Sequence, residues 1–236
     1  MRLKRRLEYV VTEALTAVDG SLRLHENLAF AILSANDQAN YMLHPEEARI
    51  LAPRACRRKR EEFALGRAAA HLALQELGFE DPSAVRRGEG GEPLWPEGIV
   101  GSITHCYPWS IAVVGKHSNR FVIGIDCESV QRAKGTDIGR LICRDDELQW
   151  VHNGGGYLGR LVMIFSAKET VYKAFYPLCQ RYIDFKEVEL SWFPAKSCFQ
   201  GELLGDFGGS FWGSRSCPIR CRRCNDLVFS FLAHEM

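Results

Sequence analysis

The sequence predicts an α+β fold made of two similar halves. Each half contains one long helix-forming stretch, at about Arg57 to Leu77 and at about Tyr157 to Tyr176. Each stretch is followed by short apolar or alternating segments that are typical of strands. A chain of 236 residues is long enough to bury a sizeable core. We therefore expect an N-terminal half of residues 1–120 and a C-terminal half of residues 121–236, although no direct sequence repeat relates them.

The N-terminal half begins with short elements and continues with its long helix. An amphipathic helix is predicted from about Leu3 to Ala17, and a buried strand from Leu28 to Leu33. A short helix follows His44-Pro45, because proline suits the first helical turn. Gly78 is a suitable residue to end the long helix. The apolar face of that helix consists of Phe63, Ala64, Leu65, Ala68, Ala69, Leu72, Ala73 and Leu77.

Basic residues crowd the first turns of the long helix. Arg57, Arg58, Lys59 and Arg60 follow one another, and Arg67 lies two turns further on. Taken alone, such a run is most often a solvated helix face. It becomes a candidate anion site only if other residues converge on it.

Two antiparallel strands are predicted after a loop rich in glycine and proline between Pro82 and Pro96. They cover Ile99 to Cys106 and Trp109 to Gly115, with a turn near Tyr107-Pro108. The end of the first strand gathers two hydroxyls and an imidazole, which suit an anion cradle; for a single histidine, a structural role is the alternative. These residues are Ser102, Thr104 and His105.

The stretch from Val122 to Glu128 is predicted to be a strand that ends in acid. Side chains alternate between the two faces of a strand, so Asp126 and Glu128 share a face. Two neighbouring carboxylates repel each other unless a cation or a proton lies between them. Mg²⁺ prefers such oxygen ligands together with substrate phosphates. A solvated strand end is the alternative for an isolated pair of this kind.

The C-terminal half contains the second long helix, which is expected to stop at Pro177. A flexible break at Gly154-Gly155-Gly156 precedes it. Within the helix, Glu169 and Lys173 are four residues apart and therefore neighbours on one face. The rest of the chain is strand-like, in segments 188–193, 202–207 and 227–232.

Composition excludes several classes of function. The net charge is +1, so no global field favours nucleic acid. No apolar run is long enough to cross a bilayer and no export signal is visible, so we expect a cytoplasmic protein that does not bind a membrane. Nine scattered cysteines suit a reducing compartment. Cys217, Cys221 and Cys224, with His234 as a fourth ligand, could hold zinc, but their spacing is irregular, so we expect cysteines that lie beside a terminal strand and bind no metal.

Three stretches, in this order, resemble the signature of the Sfp-type 4′-phosphopantetheinyl transferases, and within them the group around enterobactin synthase component D. They are Val100-Gly-Ser-Ile-Thr-His-Cys106, Ile123-Gly-Ile-Asp-Cys-Glu128 and Phe165-Ser-Ala-Lys-Glu-Thr-Val-Tyr-Lys-Ala174. The resemblance extends to Arg60-Glu-Glu-Phe-Ala-Leu-Gly-Arg67, Gly91-Glu-Pro-Leu-Trp-Pro96 and Phe175-Tyr-Pro-Leu178, and it covers about residues 45–190. Each motif alone is weak, and their combination is specific.

The resemblance implies an enzyme that transfers phosphopantetheine from coenzyme A to a serine of an apo acyl or peptidyl carrier protein and releases adenosine 3′,5′-bisphosphate. The carrier would belong to siderophore, polyketide or nonribosomal peptide biosynthesis. The implied fold is a monomeric pseudo-dimer of two α+β halves with the active site between them. Coenzyme A phosphate contacts are expected in the N-terminal half, and the metal acids, the catalytic helix and carrier docking in the C-terminal half.

The resemblance also implies a role for each motif residue. Asp126, Glu128 and Glu169 would bind Mg²⁺, for which Mn²⁺ is a substitute. Glu169 and Lys173 are the candidate catalytic residues, with Glu169 as the base. The coenzyme A contacts would come from Lys59, Arg67, Arg87, Ser102, Thr104, His105, Lys168 and Lys173.

Two other functions fit parts of this pattern. A Mg²⁺-dependent phosphohydrolase could use the same acids and basic cluster, but it would not explain the accompanying Trp-Pro and Ser-x-Thr-His-Cys segments. A non-catalytic relative that binds coenzyme A or a carrier would be expected to have lost an acid or a lysine. Asp126, Glu128, Glu169, Lys168 and Lys173 are all present, which favours the transferase.

Overall fold

The computed structural model describes residues 2–16, 27–36, 42–51, 56–79, 83–116, 121–135, 137–204 and 216–235. Three sequence predictions fall partly outside these residues: the end of the first helix at Ala17, the junction between the halves, and residues 205–207 of a predicted strand. None of the helices formed by the described residues combines the length and hydrophobicity that a bilayer span needs.

Helices and strands are mixed along the whole chain. The helices are α1 (Arg2–Thr16), α2 (Pro45–Ile50), α3 (Arg57–Glu76), α4 (Gly139–Ile142), α5 (Asp145–His152) and α6 (Tyr157–Cys179). The strands are β1 (Leu28–Ser34), β2 (Arg86–Arg87), β3 (Pro93–Leu94), β4 (Ile99–Cys106), β5 (Trp109–Lys116), β6 (Phe121–Ser129), β7 (Val188–Phe193), β8 (Cys198–Leu203), β9 (Cys217–Cys224) and β10 (Leu227–Glu235). The predicted α+β class is confirmed.

The N-terminal part of the chain forms a three-stranded antiparallel sheet in the order β1-β5-β4, and α3 packs on it. Alanines on α3 allow the helix to lie close to the small and branched side chains of the sheet. Ala69, Ala70 and Ala73 are fully buried there, against Ala112 and Val114 of β5. Of the apolar face predicted for this helix, Leu65, Ala69, Ala73 and Leu77 are buried, whereas Leu72 is 38% exposed; Ala70 and Leu74, which the prediction left out, are buried instead.

The C-terminal part forms a five-stranded antiparallel sheet in the order β6-β10-β9-β8-β7. Helix α6 packs on β6 and β10 and is buried on most of its sides. A further apolar cluster, which includes Leu7 of α1, Ile111 of β5, Ile125 of β6 and Phe229 of β10, joins the two sheets. The two parts of the chain consequently share a core.

The C-terminal half differs from the sequence prediction at the end of its long helix and agrees with it at the cysteine cluster. Helix α6 does not stop at Pro177 but continues to Cys179, where the N–H of Gln180 donates to Tyr176 O at 2.8 Å. Proline in the last turn removes only one intrahelical donor, which the helix tolerates there. Cys217, Cys221 and Cys224 lie on β9 with their side chains buried in apolar packing. This matches the expectation of cysteines beside a terminal strand and does not support a zinc site.

A buried carboxylate connects three elements of the N-terminal half. Glu47 of α2 is fully buried, and its Oε1 accepts from His71 Nε2 at 2.7 Å and from Val85 N at 2.8 Å. Its Oε2 accepts from His44 N at 3.2 Å. Burial alone would raise the pKa of Glu47, but the hydrogen bonds from His71 and Val85 outweigh burial and lower it.

We predict that Glu47→Gln lowers the free energy of unfolding by about 1–3 kcal/mol at pH 7, because buried donors lose a charged acceptor. A carboxylate with a lowered pKa stabilises the fold above its unfolded pKa of about 4.3 and loses that effect as pH falls through the folded pKa. The difference between wild type and variant should therefore shrink below about pH 4. Urea denaturation at pH 7 and in acid measures both effects.

Glu46→Gln is the matched control, because Glu46 is the exposed neighbour in the same helix. It should leave stability nearly unchanged at both pH values. A Glu47→Gln deficit that stays constant into acid would contradict the linkage to this carboxylate.

Candidate active site

Helix α6 crosses β6 at very short range. Gly124 of β6 lies under the helix, and a Cβ at this position would meet Thr170 O at 2.1 Å and Ala174 Cβ at 2.9 Å. Any larger residue would push the helix away from the strand. The glycine therefore brings Glu169 and Lys173 of α6 to the acidic end of β6.

Asp126 is the centre of the resulting cluster. It is 2% exposed, and its Oδ1 accepts from Lys173 Nζ at 2.6 Å and from Thr104 Oγ1 at 3.3 Å. Its Oδ2 is buried without a hydrogen-bond partner. A buried carboxylate oxygen without a donor is costly, so this atom is prepared for a ligand.

Glu128 and Glu169 lie half-buried beside Asp126. Burial and the charge of Asp126 raise the pKa of Glu128 to about 7. Burial also raises the pKa of Glu169, with Lys173 opposing and Asp126 adding to the effect. Burial disfavours the ionised form of a carboxyl group, and neighbouring negative charges repel each other. A cation would relieve both effects.

Lys173 carries the positive charge nearest to these acids. Burial alone would lower the pKa of its ammonium group, but Asp126, Glu169 and Glu128 outweigh burial and raise it. The lysine is therefore a fixed cation at the crossing of α6 and β6. Its side chain remains 27% exposed and can meet a ligand as well as Asp126.

The three acids fit a magnesium ion by their chemistry. They offer oxygen ligands, one of which is the unpartnered Oδ2 of Asp126. Among the described residues, no group of three or more His, Cys, Asp or Glu side chains is arranged to hold a metal as it stands. Substrate phosphate oxygens usually complete a magnesium site in proteins. The donor set therefore suits a cation that binds together with a phosphate.

A cavity of about 660 Å³ opens on the N-terminal half and has cationic walls. Four of the predicted coenzyme A contacts line it: Lys59 and Arg67 of α3, Arg87 of β2 and His105 of β4. These residues are far apart in sequence, and the fold brings them together. We call this cavity the cationic pocket.

Arg67 is a buried guanidinium that is only partly satisfied. Its Nη2 donates to Arg86 O at 3.4 Å, its Cζ lies 4.7 Å from the centroid of the Phe63 ring, and its Nε has no partner. Burial lowers its pKa, and the charge of Glu47 opposes this effect. The unused Nε makes Arg67 a donor for an anion.

His105 lies at the open edge of the cationic pocket, with 57% of its side chain exposed. Its Nε2 is 3.7 Å from Glu62 Oε2, and Glu62 also accepts from Arg58 Nε at 2.9 Å. Partial burial lowers the pKa of the imidazole, and Glu62 opposes this. Glu62 escaped the sequence interpretation, although it stands inside the quoted Arg60–Arg67 motif.

Comparisons with known proteins assign both parts of the chain to one family. Residues 46–115 match the family model described as "4′-phosphopantetheinyl transferase N-terminal domain", and residues 122–220 match the one described as "4′-phosphopantetheinyl transferase superfamily". The chain belongs to the 4′-phosphopantetheinyl transferase superfamily. The resemblance seen in the sequence motifs is thereby confirmed.

Several curated relatives of this superfamily resemble the chain. A 4′-phosphopantetheinyl transferase of Nocardia iowensis is 37% identical over 63% of this chain and 65% of its own length. One of Streptomyces mobaraensis is 35% identical over 74% of this chain and 71% of its own length. Enterobactin synthase component D of Escherichia coli strain K12 is 37% identical over 50% of this chain and 55% of its own length. The alignments thus span between about half and three quarters of the relatives.

A solved structure of holo-[acyl-carrier-protein] synthase from Neisseria meningitidis aligns with a TM-score of 0.39 at 21% identity. The alignment covers 49% of this chain and 98% of that one.

The structure places two predicted phosphate contacts between β4 and β6. Ser102 and Thr104 are almost fully buried, and their hydroxyl oxygens accept from the β6 backbone, at 3.2 Å from Ile125 N and 3.0 Å from Cys127 N. They join β4 to β6 and do not line the cationic pocket. The sequence showed that hydroxyls gather at this strand end, but not that a neighbouring strand uses them.

The structure also places Lys168 away from the cationic pocket. The prediction placed it on a coenzyme A phosphate, but its side chain is fully buried and donates to Glu147 Oε2 at 2.7 Å. Two backbone carbonyls, Ile142 O and Phe185 O, accept its remaining protons at 2.8 Å. An ammonium group has three protons, so Lys168 has none left for a phosphate.

We predict that Thr104→Val lowers the free energy of unfolding by about 1–3 kcal/mol, because the buried Cys127 N–H loses its acceptor. Thr104→Ser retains the hydroxyl and should unfold nearly like wild type. Chemical denaturation followed by circular dichroism compares the two. If Thr104→Val were as stable as Thr104→Ser, the hydroxyl link between β4 and β6 would be unimportant for stability.

Proposed function

We propose that this protein transfers 4′-phosphopantetheine from coenzyme A to a serine hydroxyl of an apo acyl or peptidyl carrier protein and releases adenosine 3′,5′-bisphosphate. The observation that carries the proposal is the pairing of a cationic pocket with an acidic cluster that contains a fixed lysine. Coenzyme A presents several phosphate groups, which need cationic contacts and a metal. The superfamily membership of the chain supports the same reaction.

The cationic pocket binds the phosphate groups on the adenosine side of coenzyme A. Arg67 supplies its unused Nε from the buried wall, and His105 supplies an imidazole at the open edge. Arg87 and Lys59 add charge at the rim. Charge-assisted hydrogen bonds to phosphate are about twice as strong as neutral ones, so these contacts orient the substrate as well as bind it.

Asp126, Glu128 and Glu169 would hold Mg²⁺, or Mn²⁺ in its place. When bound, the ion neutralises charge on the pyrophosphate group that is broken in the reaction. Lys173 contributes a second, permanent cation, because its Nζ stays charged beside Asp126.

Glu169 is the candidate general base. Its half-buried carboxylate lies on α6 near Asp126 and Lys173, at the place where the transferred phosphoryl group would meet the incoming hydroxyl. The serine Oγ of the carrier forms a bond to the phosphorus atom, the bond from phosphorus to the adenosine bisphosphate oxygen breaks, and Glu169 takes the serine proton. Lys173 stabilises the charge that develops on the phosphoryl oxygens.

The two parts of the chain divide this work. Residues 1–120 supply the coenzyme A phosphate contacts, and residues 121–236 supply the metal acids, the catalytic helix and the surface for the carrier. We place the active site in the cleft between two similar halves of a monomeric pseudo-dimer. The core shared by the two sheets supports a fixed relation between the halves. All nine cysteines are free, which suits a cytoplasmic, reducing setting.

The proposal is tested by incubating the protein with coenzyme A, Mg²⁺ and a panel of apo carrier proteins from siderophore, polyketide and nonribosomal peptide systems. Mass spectrometry should show the phosphopantetheine increment on one carrier serine. Release of inorganic phosphate without carrier modification would instead indicate a phosphohydrolase. Binding of coenzyme A without either product would indicate a non-catalytic relative.

We predict that EDTA abolishes transfer and that Mg²⁺ or Mn²⁺ restores it, because the acids repel one another without a cation. Asp126→Asn and Glu169→Gln should each lower turnover by about a hundredfold or more while the protein stays folded. The carrier assay and circular dichroism measure the two properties. Full activity in chelator would disprove the metal assignment, and near-wild-type turnover of either variant would disprove its role.

We predict that Arg67→Ala and His105→Ala raise the KM for coenzyme A, because each removes a charged phosphate contact worth about 1.5–3 kcal/mol, or roughly ten- to a hundredfold. Dephospho-coenzyme A, which lacks the 3′-phosphate, identifies the group that each residue reads. The variant that touches the 3′-phosphate should show a much smaller deficit with this substrate. Undiminished deficits for both variants would mean that neither residue reads it.

We predict that the carrier docks beside the C-terminal end of α6. Carriers modified by this superfamily are typically acidic around the modified serine, so the receiving surface should be basic or apolar. This surface offers Tyr182 as an apolar contact, because its side chain is 60% exposed. Arg181 stands beside it, although both of its Nη atoms bond to Glu187 at 2.9 Å, so an aromatic truncation is the cleaner probe. Tyr182→Ala should raise the KM for the carrier at least fivefold, as a contact residue would, and leave the KM for coenzyme A unchanged.

The matched control is Tyr9→Ala on α1, where a tyrosine is similarly exposed, at 65%. It should leave both KM values unchanged. An unchanged carrier KM in Tyr182→Ala would move the docking surface elsewhere.

A further inference from the structure

The C-terminal half contains a fully buried ion pair that the proposed mechanism does not use. Lys168 of α6 and Glu147 of α5 have no exposed side-chain surface, and Nζ lies 2.7 Å from Oε2. The remaining protons of Lys168 go to the carbonyls of Ile142 and Phe185. Glu147 is equally occupied: its Oε1 accepts from Leu190 N at 2.8 Å and its Oε2 from Arg144 N at 2.7 Å. All three ammonium protons and both carboxylate oxygens of the pair therefore have partners.

These bonds connect five separate segments of the chain. Lys168 belongs to α6, Ile142 to the end of α4, and Arg144 and Glu147 to the start of α5. Phe185 begins the 3₁₀ turn Phe185–Glu187, and Leu190 belongs to β7. A single pair of charges thus connects α6 to α4, α5, the 3₁₀ turn and β7.

Stability alone does not explain a buried pair of this kind. Removal of two charges from water costs free energy, and apolar residues of similar size usually stabilise a core as well or better. Burial lowers the pKa of Lys168, with Glu147 opposing, in agreement with that cost. What the pair supplies is direction, because three hydrogen bonds from one ammonium group to three different segments restrict the rotation of the helix.

The residue after Lys168 is Glu169, the candidate base and metal ligand. Consecutive residues on a helix are about 100° apart, so the rotation that directs Lys168 to Glu147 also directs Glu169 to the cleft. Lys173 lies one turn beyond Glu169 and meets Asp126 at 2.6 Å. Loss of the pair would leave α6 free to rotate or shift against β6.

We infer that Glu147 and Lys168 are positioning residues for the transfer reaction, which hold α6 in the rotation that brings Glu169 and Lys173 to Asp126 without touching substrate. The inference rests on the proposed function for the meaning of that geometry. It assigns a role to Glu147, which lies outside the family motifs quoted above, and a new role to Lys168.

The test is a double-mutant cycle with Glu147→Gln, Lys168→Met and the double variant. Lys168→Met leaves a buried carboxylate unpaired and should lower Tm by on the order of 10 °C. The double variant buries no charge and should recover much of that loss, so it remains a folded protein in which turnover can be measured. Ser166→Ala is the matched control, since Ser166 is buried on the same helix and its Oγ donates to Ser230 Oγ at 2.9 Å, towards β10.

We expect each of the three variants to lower kcat by on the order of a hundredfold, with KM for coenzyme A within about threefold of wild type, because misplacement by about 1 Å costs that much in rate. The losses should not multiply in the double variant, since both residues act through one interaction. Ser166→Ala should lower Tm and leave kcat unchanged.

Three outcomes of these kinetic measurements would overturn the inference. A double variant that regains wild-type kcat would make the pair a matter of stability only. A raised KM for coenzyme A at unchanged kcat in Lys168→Met would indicate that Lys168 contacts a coenzyme A phosphate. An equal kcat loss in Ser166→Ala would mean that any disturbance of α6 slows turnover.

A binding measurement separates this inference from the proposed function. Isothermal titration of Mg²⁺ into the complex of protein and coenzyme A should give a Kd roughly tenfold weaker in the Glu147 and Lys168 variants, because a displaced Glu169 is a poorer ligand. Binding of coenzyme A without Mg²⁺ should be unaltered. An unchanged Mg²⁺ Kd would overturn the positioning role even in an active enzyme. If wild type modifies no carrier, the proposed function fails, while this readout still decides the role of the pair.

Discussion

The short distance between α6 and β6 at Gly124 determines the whole chemistry of the site, because it places side chains of the helix against the acidic end of the strand. A Cβ at this position would collide with the backbone of α6 at Thr170. The contact leaves Lys173 within 2.6 Å of Asp126 and sets Glu169 and Glu128 beside them. This packing constraint therefore sets how close the two helix residues come to the two acids of the strand.

That constraint produces a site with too much negative charge for its degree of burial. Lys173 compensates one carboxylate, and the pKa of Glu128 rises to about 7 because burial and Asp126 both disfavour its ionised form. Such a cluster attracts a small, hard cation. The cationic pocket of the N-terminal half has the opposite character and attracts phosphate. A substrate that carries phosphate groups together with a bound cation would contact both surfaces at once. A free phosphate or a free cation would contact only one of them.

The sequence predicted the long elements and the order of the motifs, because apolar periodicity and glycine or proline signals are local. It could not predict the partners of buried polar side chains. Helix α6 is buried on most sides, so no polar face showed whether Lys168 points to the cleft or to the core. Its partner Glu147 lies 21 positions earlier and directly follows Asp145 and Asp146, and this acidic stretch gives no local sign that one of its residues is buried. The contacts of Ser102 and Thr104 could not be predicted for the same reason, since their acceptor role depends on β6.

The buried polar side chains of the described residues differ in how fully protein groups satisfy them. The ammonium protons of Lys168 and both carboxylate oxygens of Glu147 and of Glu47 have protein partners. Asp126 Oδ2 and Arg67 Nε, by contrast, are buried without a partner. An unsatisfied buried group costs about 1–3 kcal/mol, a cost that this fold also bears at Ser110 Oγ and Thr170 Oγ1. Asp126 Oδ2 and Arg67 Nε differ from those two hydroxyls because each belongs to an ionisable group in one of the proposed binding regions, where the proposed cation and phosphate would supply the missing partner.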